Sequence, residues 1–528
     1  MKNNLGFLNL VLHAHLPYVR HPEFDDFLEE DWFYEALWET YIPFIDMLER
    51  LCYEDIDFSI TLSLSPTLCS MMEDKLLTER FLKKMENLKR LIFKEKKRLD
   101  NTAFEKSILM YEKRIRKVEE IISRYNPITK AFKRFFEEKK LNLITTSATH
   151  IFMPHLRYAG KANEAQIKIG LDYLKTVFGK KPKGLWLPEC GYYRGIENIL
   201  EKEGIDYFFG ETHCIMYADH YPKRGIYAPM YTENGVACFA RDINSSKQVW
   251  SAKEGYPGDA DYREFYRDVG FDAPYDYIKP HLHKDGVRRN TGLKYYKITG
   301  SNVDLGKKEP YSPEAAKKKA VIHAENFLFN RQKQMEYLNT IYDKQPIINA
   351  FYDMELFGHW WWEGIDFLEE IVKKIEKFDI KLITPDEYLN VYPENQMSRL
   401  NESSWGWKGY GEIWLNGAND WIYRHLYEME DRMEEMAEKY KDTKDERISF
   451  ILSQLARELL LSQSSDWPFI MHGGSCRQYA ERREKLHINR FNHMYENLKR
   501  NFIDVEFAEE SYKKDNIFPD LNWKVYAY

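Results

Sequence analysis

Short apolar runs that end in polar residues recur along the first three quarters of the chain. Phe7 to Leu12 leads into His13 and His15, Phe58 to Leu64 ends at Ser65-Pro66, and Leu141 to Ile144 leads through Thr145, Thr146 and Ser147 to His150. Gly184 to Leu187 leads into Pro188-Glu189. The same design follows at Tyr207 to Phe209 before Glu211 and His213, at Ile347 to Tyr352 before Asp353 and Glu355, and at Lys381 to Ile383 before Thr384-Pro385-Asp386. Runs apolar on both faces are buried parallel strands rather than half-exposed antiparallel ones. Helical patterns lie between them, so the alternation predicts right-handed crossovers and a seven-stranded α/β barrel. Functional residues are then expected at the C-terminal ends of the strands.

Three segments depart from that alternation. The charged stretch of about 73–140, with KEKKRLD and YEKRIRKVEE, is far longer than one crossover and predicts an excursion of long exposed helices. The stretch of about 211–299 is rich in Pro, Gly and Tyr and is expected to be an irregular, lid-like insertion beside the site. After Tyr392-Pro393 the alternation stops. Helical patterns at Asp420 to Tyr440, Asp445 to Ser462 and Cys476 to Asn501 predict an all-helical C-terminal domain, dividing the chain into a barrel over 1–395 and a helical unit over 396–528.

Composition narrows the function classes. Lys and Arg number 77 against 84 Asp and Glu in 528 residues, a net charge of −7 that gives no field for nucleic acid or an anionic membrane. Six scattered cysteines without a CxxC argue against a disulfide framework or a zinc ribbon. The start, MKNNLGFLNLVLHAHLPY, is interrupted by His13 and His15 too early for a secretory signal or a membrane span, and a cytoplasmic protein is expected. No Walker loop, GxGxxG after a strand, GxSxG elbow or HExxH occurs where it would matter, so no cofactor is expected.

Two strand-end carboxylates stand out, Glu189 in GLWLPECGYY and Asp353 in AFYDMELFGHWWWEG, both among aromatics. A carboxylate pair is what glycosidic cleavage requires, one group attacking the anomeric carbon or activating water and the other protonating the leaving oxygen. Apolar surroundings favour the protonated acid. Alternatively, either group is a strand-end ion-pair partner. His13 and His15 lie on one face of an extended segment, suited to hydrogen bonds with sugar hydroxyls or, with His150 and Asp353, to a divalent metal. A metal-dependent deacetylase is therefore the rival reading. Trp405 and Trp414 in SSWGWKGYGEIW are candidate sugar platforms, as are Trp186 and Trp360. Asp466 in QSSDWPF and Arg263 in YPGDADYREFYRD could each hold hydroxyls or form a local ion pair.

HAHLPY, TTSATH, WLPECGYY and YDMELFGHWWWEG, in that order, with the C-terminal SSDWPF, resemble the motifs of glycoside hydrolase family fifty-seven over essentially the whole chain. The similarity is strongest to the subgroup of AmyC-type α-amylases and 1,4-α-glucan branching enzymes. It implies an incomplete seven-stranded (β/α) barrel, a retaining mechanism without metal, and an α-glucan substrate. It assigns Glu189 as nucleophile and Asp353 as acid/base, places His13, His15 and His150 at the donor subsite, makes Trp405 and Trp414 platforms, and has Asp466 reach in from the C-terminal domain. Branching members are expected to cover the site with a loop carrying a Tyr. The corresponding stretch, GIYAPMYTENGVACFARD, offers Tyr227 and Tyr231 but is short, which favours hydrolysis over branching.

Overall fold

The computed structural model describes residues 4–251 and 254–528. Its organising strand is β1 (Gly6–Ala14), buried at all nine positions. Leu8, Leu10, Leu12 and Ala14 face the surrounding helices, while Phe7 and Val11 turn into a separate cluster with Ile144, Trp186, Phe209, Phe239 and Phe351. Period-two alternation thus makes Phe7, Asn9, Val11 and His13 one inward row.

β1 is flanked by β2 (Ile60–Leu64) and β8 (Ile347–Asp353), and β2 pairs with β3 (Leu141–Ile144), all in parallel. A second sheet joins β4 (Gly184–Trp186), β5 (Tyr207–Gly210) and β7 (Ala237–Ala240) in parallel, with β6 (Met230–Tyr231) antiparallel to β7. Two contacts join the sheets into a ring: Trp186 N donates to Thr145 O at 2.7 Å, and Asp242 N to Asn349 O at 3.0 Å. The ring therefore runs β1-β2-β3-β4-β5-β7-β8, a seven-stranded barrel. Inside it Asn9 donates to Asn349 Oδ1 (3.1 Å), Thr61 donates to Asn9 Oδ1 (3.1 Å) and Asn349 donates to Ala240 O (3.1 Å). This buried polar layer satisfies itself while tying β2, β1, β8 and β7 together.

The membership of the ring corrects the sequence reading. Its seventh strand is Ala237–Ala240, four residues inside the stretch expected to be a lid. The Lys381 run, β9 (Ile380–Leu382), pairs only with Gly6–Leu8 at the start of β1. It fills the floor of the barrel, where β1 and β2 have not yet met, rather than completing the circle. The rest of the supposed lid splits in two. Residues from Tyr227 to β7 lie at the barrel floor, and residues beyond Tyr256 pack on the long helices Lys75–Arg98 and Glu105–Arg124, with Tyr111 Oη donating to Lys294 O at 2.9 Å. Those helices bury apolar stripes at helical spacing, including Leu77, Phe81, Met85 and Leu88, and leave most of their charges in solvent, whereas Glu95 is buried and accepts from Tyr277 and Tyr295.

The C-terminal region is helical over Trp421–Tyr440, Glu446–Ser462, Asp466–Gly473, Arg477–Lys499 and Val505–Lys514. Among the described residues no helix is long and apolar enough to cross a membrane.

Candidate active site

Strand register sets the site. His13 is level with Ser63 on β2 and with Asp353 on β8, so three inward polar side chains emerge together at the barrel mouth. Glu189 arrives from β4 through a sharp turn after Pro188. Its φ of 59° is left-handed, as are those of Cys190 (51°) and His150 (61°). Such conformations are strained for residues with a Cβ and persist where surrounding contacts hold them. Here Trp405 N donates to Glu189 O (2.8 Å), and Gly191 N closes the turn on Pro188 O (2.9 Å).

A cleft of about 660 Å³ opens over these strand ends. His13, His15, His150, Glu189, Asp353, Trp360, Trp405 and Asp466 all line it. Both Glu189 carboxylate oxygens are held. Trp405 Nε1 donates to Oε2 at 2.5 Å and Ser465 Oγ to Oε1 at 3.0 Å. The Asp353 carboxyl accepts no side-chain hydrogen bond among the described residues. Asp466 accepts from His15 Nε2 (3.0 Å) and Ser464 Oγ (2.5 Å). His13 and His150 meet nitrogen to nitrogen at 3.0 Å, and the His15 and His150 rings stack at 3.9 Å.

Burial pushes the Glu189 carboxyl up to about 7, the Asp353 and Asp466 charges add to it, and the bonds from Trp405 and Ser465 oppose it. Asp353 also reaches about 7, through burial and then the nearby Glu355, with His15 and Arg241 pulling the other way. Burial holds His13 and His150 well below the ordinary imidazole range, so both are neutral. Burial likewise acts upward on Asp466, but His15 beside it brings the carboxyl below its usual range.

Five assignments are corrected. Trp186 is fully buried inside the barrel, stacked on His13 with centroids 4.7 Å apart, and props the imidazole from below instead of meeting substrate. Trp414 is 1% exposed and stacks on Phe152, so its face is unavailable to a sugar. Arg263 lies in the core, paired with Glu39 (3.3 Å), donating to Tyr111 Oη (3.0 Å) and lying over Trp362. Tyr227 O accepts from Ile347 N at the start of β8, and Tyr231 Oη donates to Pro393 O. Both tyrosines therefore sit at the barrel floor, opposite the cleft, because their loop builds β6 and β7.

Trp360, in contrast, is 54% exposed at the rim and stacked on Phe265, and Trp405 is locked by Glu189 and the Trp186 edge. Sequence reasoning passed over Ser63, Glu355, Arg241, Trp250 and Ser465. Ser63 and Glu355 carried a usable signal, since Ser63 shares the inward row of Thr61 and Glu355 follows Asp353 by two. Glu355 accepts from His15 N (3.2 Å) and Tyr41 Oη, and burial pushes it to about 7.

The nitrogens that a metal would need in the histidine group are spent on hydrogen bonds: His13 on Ser63 and His150, His150 on Ser465, His15 on Asp466. The cluster with metal-like spacing among the described residues, Glu458, His487 and Asp515, lies in the C-terminal helices. There Arg483 (2.7 Å) and Arg490 (2.5 Å) already supply Asp515 with countercharge.

Residues 9–401 match Glycosyl hydrolase family 57. The chain belongs to this family. Residues 425–526 match the C-terminal region described as that of 1,4-alpha-glucan branching enzyme. Among family 57 proteins, the chain is 33% identical to the 1,4-alpha-glucan branching enzyme TK1436 of Thermococcus kodakarensis, over 97% of this chain and 77% of that one. Its structure resembles that of the alpha-amylase AmyC from Thermotoga maritima, with a TM-score of 0.93, 41% identity and 99% of each chain covered. It also resembles the family 57 branching enzyme from Pyrococcus horikoshii, with a TM-score of 0.88, 32% identity and 99% and 97% covered.

Proposed function

We propose that the protein is a retaining enzyme of α-1,4-glucan that forms a covalent glycosyl-enzyme on Glu189, with Asp353 as acid/base. One observation carries the division of roles. Glu189 accepts a hydrogen bond on each carboxylate oxygen, which favours the ionised form, whereas Asp353 accepts none from a side chain among the described residues and is the better holder of a proton. Glu189 attacks the anomeric carbon from the face opposite the departing chain while Asp353 passes its proton to the glycosidic oxygen. The resulting β-linked ester is opened when Asp353, now a base, takes a proton from water or from a glucan hydroxyl that attacks in turn. His15, held by Asp466, and the half-exposed Trp360 are placed to bind the sugar.

Hydrolysis is the main reaction in this reading. The cleft is open at its rim and the candidate loop tyrosines lie on the far side of the barrel, so water has access to the ester. The 41% identity to an amylase over 99% of both chains supports it. The second reading is branching, favoured by the C-terminal match over 425–526 and by the relationship to TK1436. The barrel unit over 1–395 and the helical unit over 396–528 are joined in this proposal, because Ser465 and Asp466 come from the second. All six cysteines are free thiols, Cys476 exposed, which supports a reducing, cytoplasmic setting.

A time course on amylose tests the choice. Reducing ends that rise without further gain after a debranching enzyme mean hydrolysis, and ends that appear only after debranching mean branching. Glu189→Ala is expected to be inactive, and added azide should yield a β-glycosyl azide. Undiminished turnover of that variant would remove Glu189 as nucleophile.

A further inference from the structure

A chain of hydrogen bonds crosses the barrel mouth and ends on Glu189. Ser63 Oγ meets His13 Nδ1 at 3.0 Å, His13 Nε2 meets His150 Nε2 at 3.0 Å, His150 Nδ1 meets Ser465 Oγ at 2.8 Å, and Ser465 Oγ meets Glu189 Oε1 at 3.0 Å. We propose that this chain is an oriented relay that positions Glu189 and keeps it ionised, with Ser465 as its decisive positioning residue. The inference rests on Glu189 being the nucleophile.

The direction of every link follows from the last one. An ionised carboxylate only accepts, so Ser465 must give it the hydroxyl proton. The Ser465 oxygen then accepts from His150 Nδ1–H, which leaves His150 Nε2 as a lone pair. His13 Nε2 must donate to that lone pair, so His13 Nδ1 is unprotonated and accepts from Ser63. Each imidazole is thereby fixed in one neutral tautomer, consistent with burial disfavouring the charged form of both rings. If Glu189 carried a proton directed at Ser465, the whole order would reverse. The four contacts accommodate either order, and an ionised Glu189 selects the first.

Ser465 is placed for this task by contacts independent of its hydroxyl. Its backbone N–H donates to His150 O at 2.9 Å, and Ser464 forms a bridge with Ile151. Thr149 Oγ1 donates to Leu460 O at the end of the preceding helix. A residue more than 270 positions from Glu189 in sequence is thus pinned over the mouth. The direct approach of His150 Nδ1 to Glu189 Oε1 is 3.6 Å, too long for a hydrogen bond, so the serine is the required intermediary. Among the described residues, the other charged or titratable groups around Glu189 include Asp353 and Glu355 at the end of β8, Asp466 beside Ser465, Arg241 after β7, His15 stacked on His150 and the adjacent Cys190 thiol. Asp353 and Asp466 both oppose ionisation of Glu189, and the bond from Trp405 and then the relay's bond from Ser465 act against them.

The test is the pH profile of kcat/KM on a soluble maltooligosaccharide. Ser465→Ala is expected to lower kcat roughly tenfold to a hundredfold with KM little changed, and to move the acid limb upward by about one pH unit. Ser465→Thr should restore both. Ser63→Ala, at the far end and remote from substrate, should move the limb in the same direction by a smaller amount, and it serves if Ser465→Ala does not fold. A merely structural role would lower thermal stability and leave the limb in place. An unmoved acid limb in both alanine variants, with Glu189→Ala inactive, overturns the relay while leaving the nucleophile standing. Turnover by Glu189→Ala would instead overturn the reading beneath it.

Discussion

Replacing Asp353 with asparagine separates what this carboxyl does for catalysis from what it costs the fold. Burial and Glu355 raise its pKa to about 7 from an ordinary 3.8, a displacement of about three units. At 1.36 kcal/mol per unit this corresponds to about 4 kcal/mol of destabilisation once the group is charged. The side chain opens on the cleft, and solvent there screens the effect to about 2 kcal/mol. The sign follows from the raised folded-state pKa. Stability from the neutral acid is complete below about pH 4 and is lost as pH rises through 7, so the penalty grows across that window and then levels off. The carboxamide of the Asp353→Asn variant does not titrate. The variant should therefore match the parent near pH 4 and exceed it at pH 8. With about 2.1 cal/mol/K per residue of unfolding entropy over 528 residues, the gain is about 2 °C in Tm. Scanning calorimetry across pH 4–9 measures it. Amylose turnover should fall by about 10²–10⁴ through loss of the general acid, with a much smaller loss on aryl glucosides whose leaving group needs no proton. A Tm difference independent of pH, or a variant less stable at pH 8, would refute the electrostatic reasoning.

Three further outcomes follow from the same geometry. Trp405→Phe removes the 2.5 Å donor to Glu189 but keeps the backbone bond, and should raise the acid limb of kcat/KM by about one to two pH units, read from the same profile that locates the parent limb. Tyr227→Phe and Tyr231→Phe, altered at the barrel floor, should leave the ratio of branches to new reducing ends unchanged on amylose; a shift in that ratio would place one of them at the site. EDTA should leave turnover unaffected, since the histidine nitrogens are committed to hydrogen bonds, whereas loss on chelation and recovery with zinc would return the deacetylase reading.

How far the sequence reached is clearest residue by residue. Alternation along GFLNLVLHA is a local property that put His13 and His15 on one face, while the barrel decided that this face, with Asn9, points inward. The apolar runs before Glu189 and Asp353 likewise announced strand ends, and the ordered motifs were enough for the family. The four-residue strand Ala237–Ala240 was not legible, because ACFA between turns has no periodicity to tell a barrel strand from a loop. Lys381 to Ile383 had the right pattern but not the right place, since pattern states which faces are buried and not which neighbour is met. The same limit explains Trp186, Trp414 and Arg263, whose exposure depends on contacts with His13, Phe152 and Glu39.

The amino-acid sequence by itself determined most of the element types, the parallel architecture and the family, and it marked two strand-end carboxylates as candidates. Periodicity and the polar residues that end a buried strand are short-range consequences of burying one face or both. Only the tertiary structure decided which strand closes the ring, which aromatics retain an open face and which hydroxyl reaches Glu189. Those depend on pairings such as His13 with His150 and Ser465 with Glu189, formed between residues 137 and 276 positions apart. Pairings of that kind arise when packing brings strand ends and helices to one barrel mouth, and no local pattern encodes them.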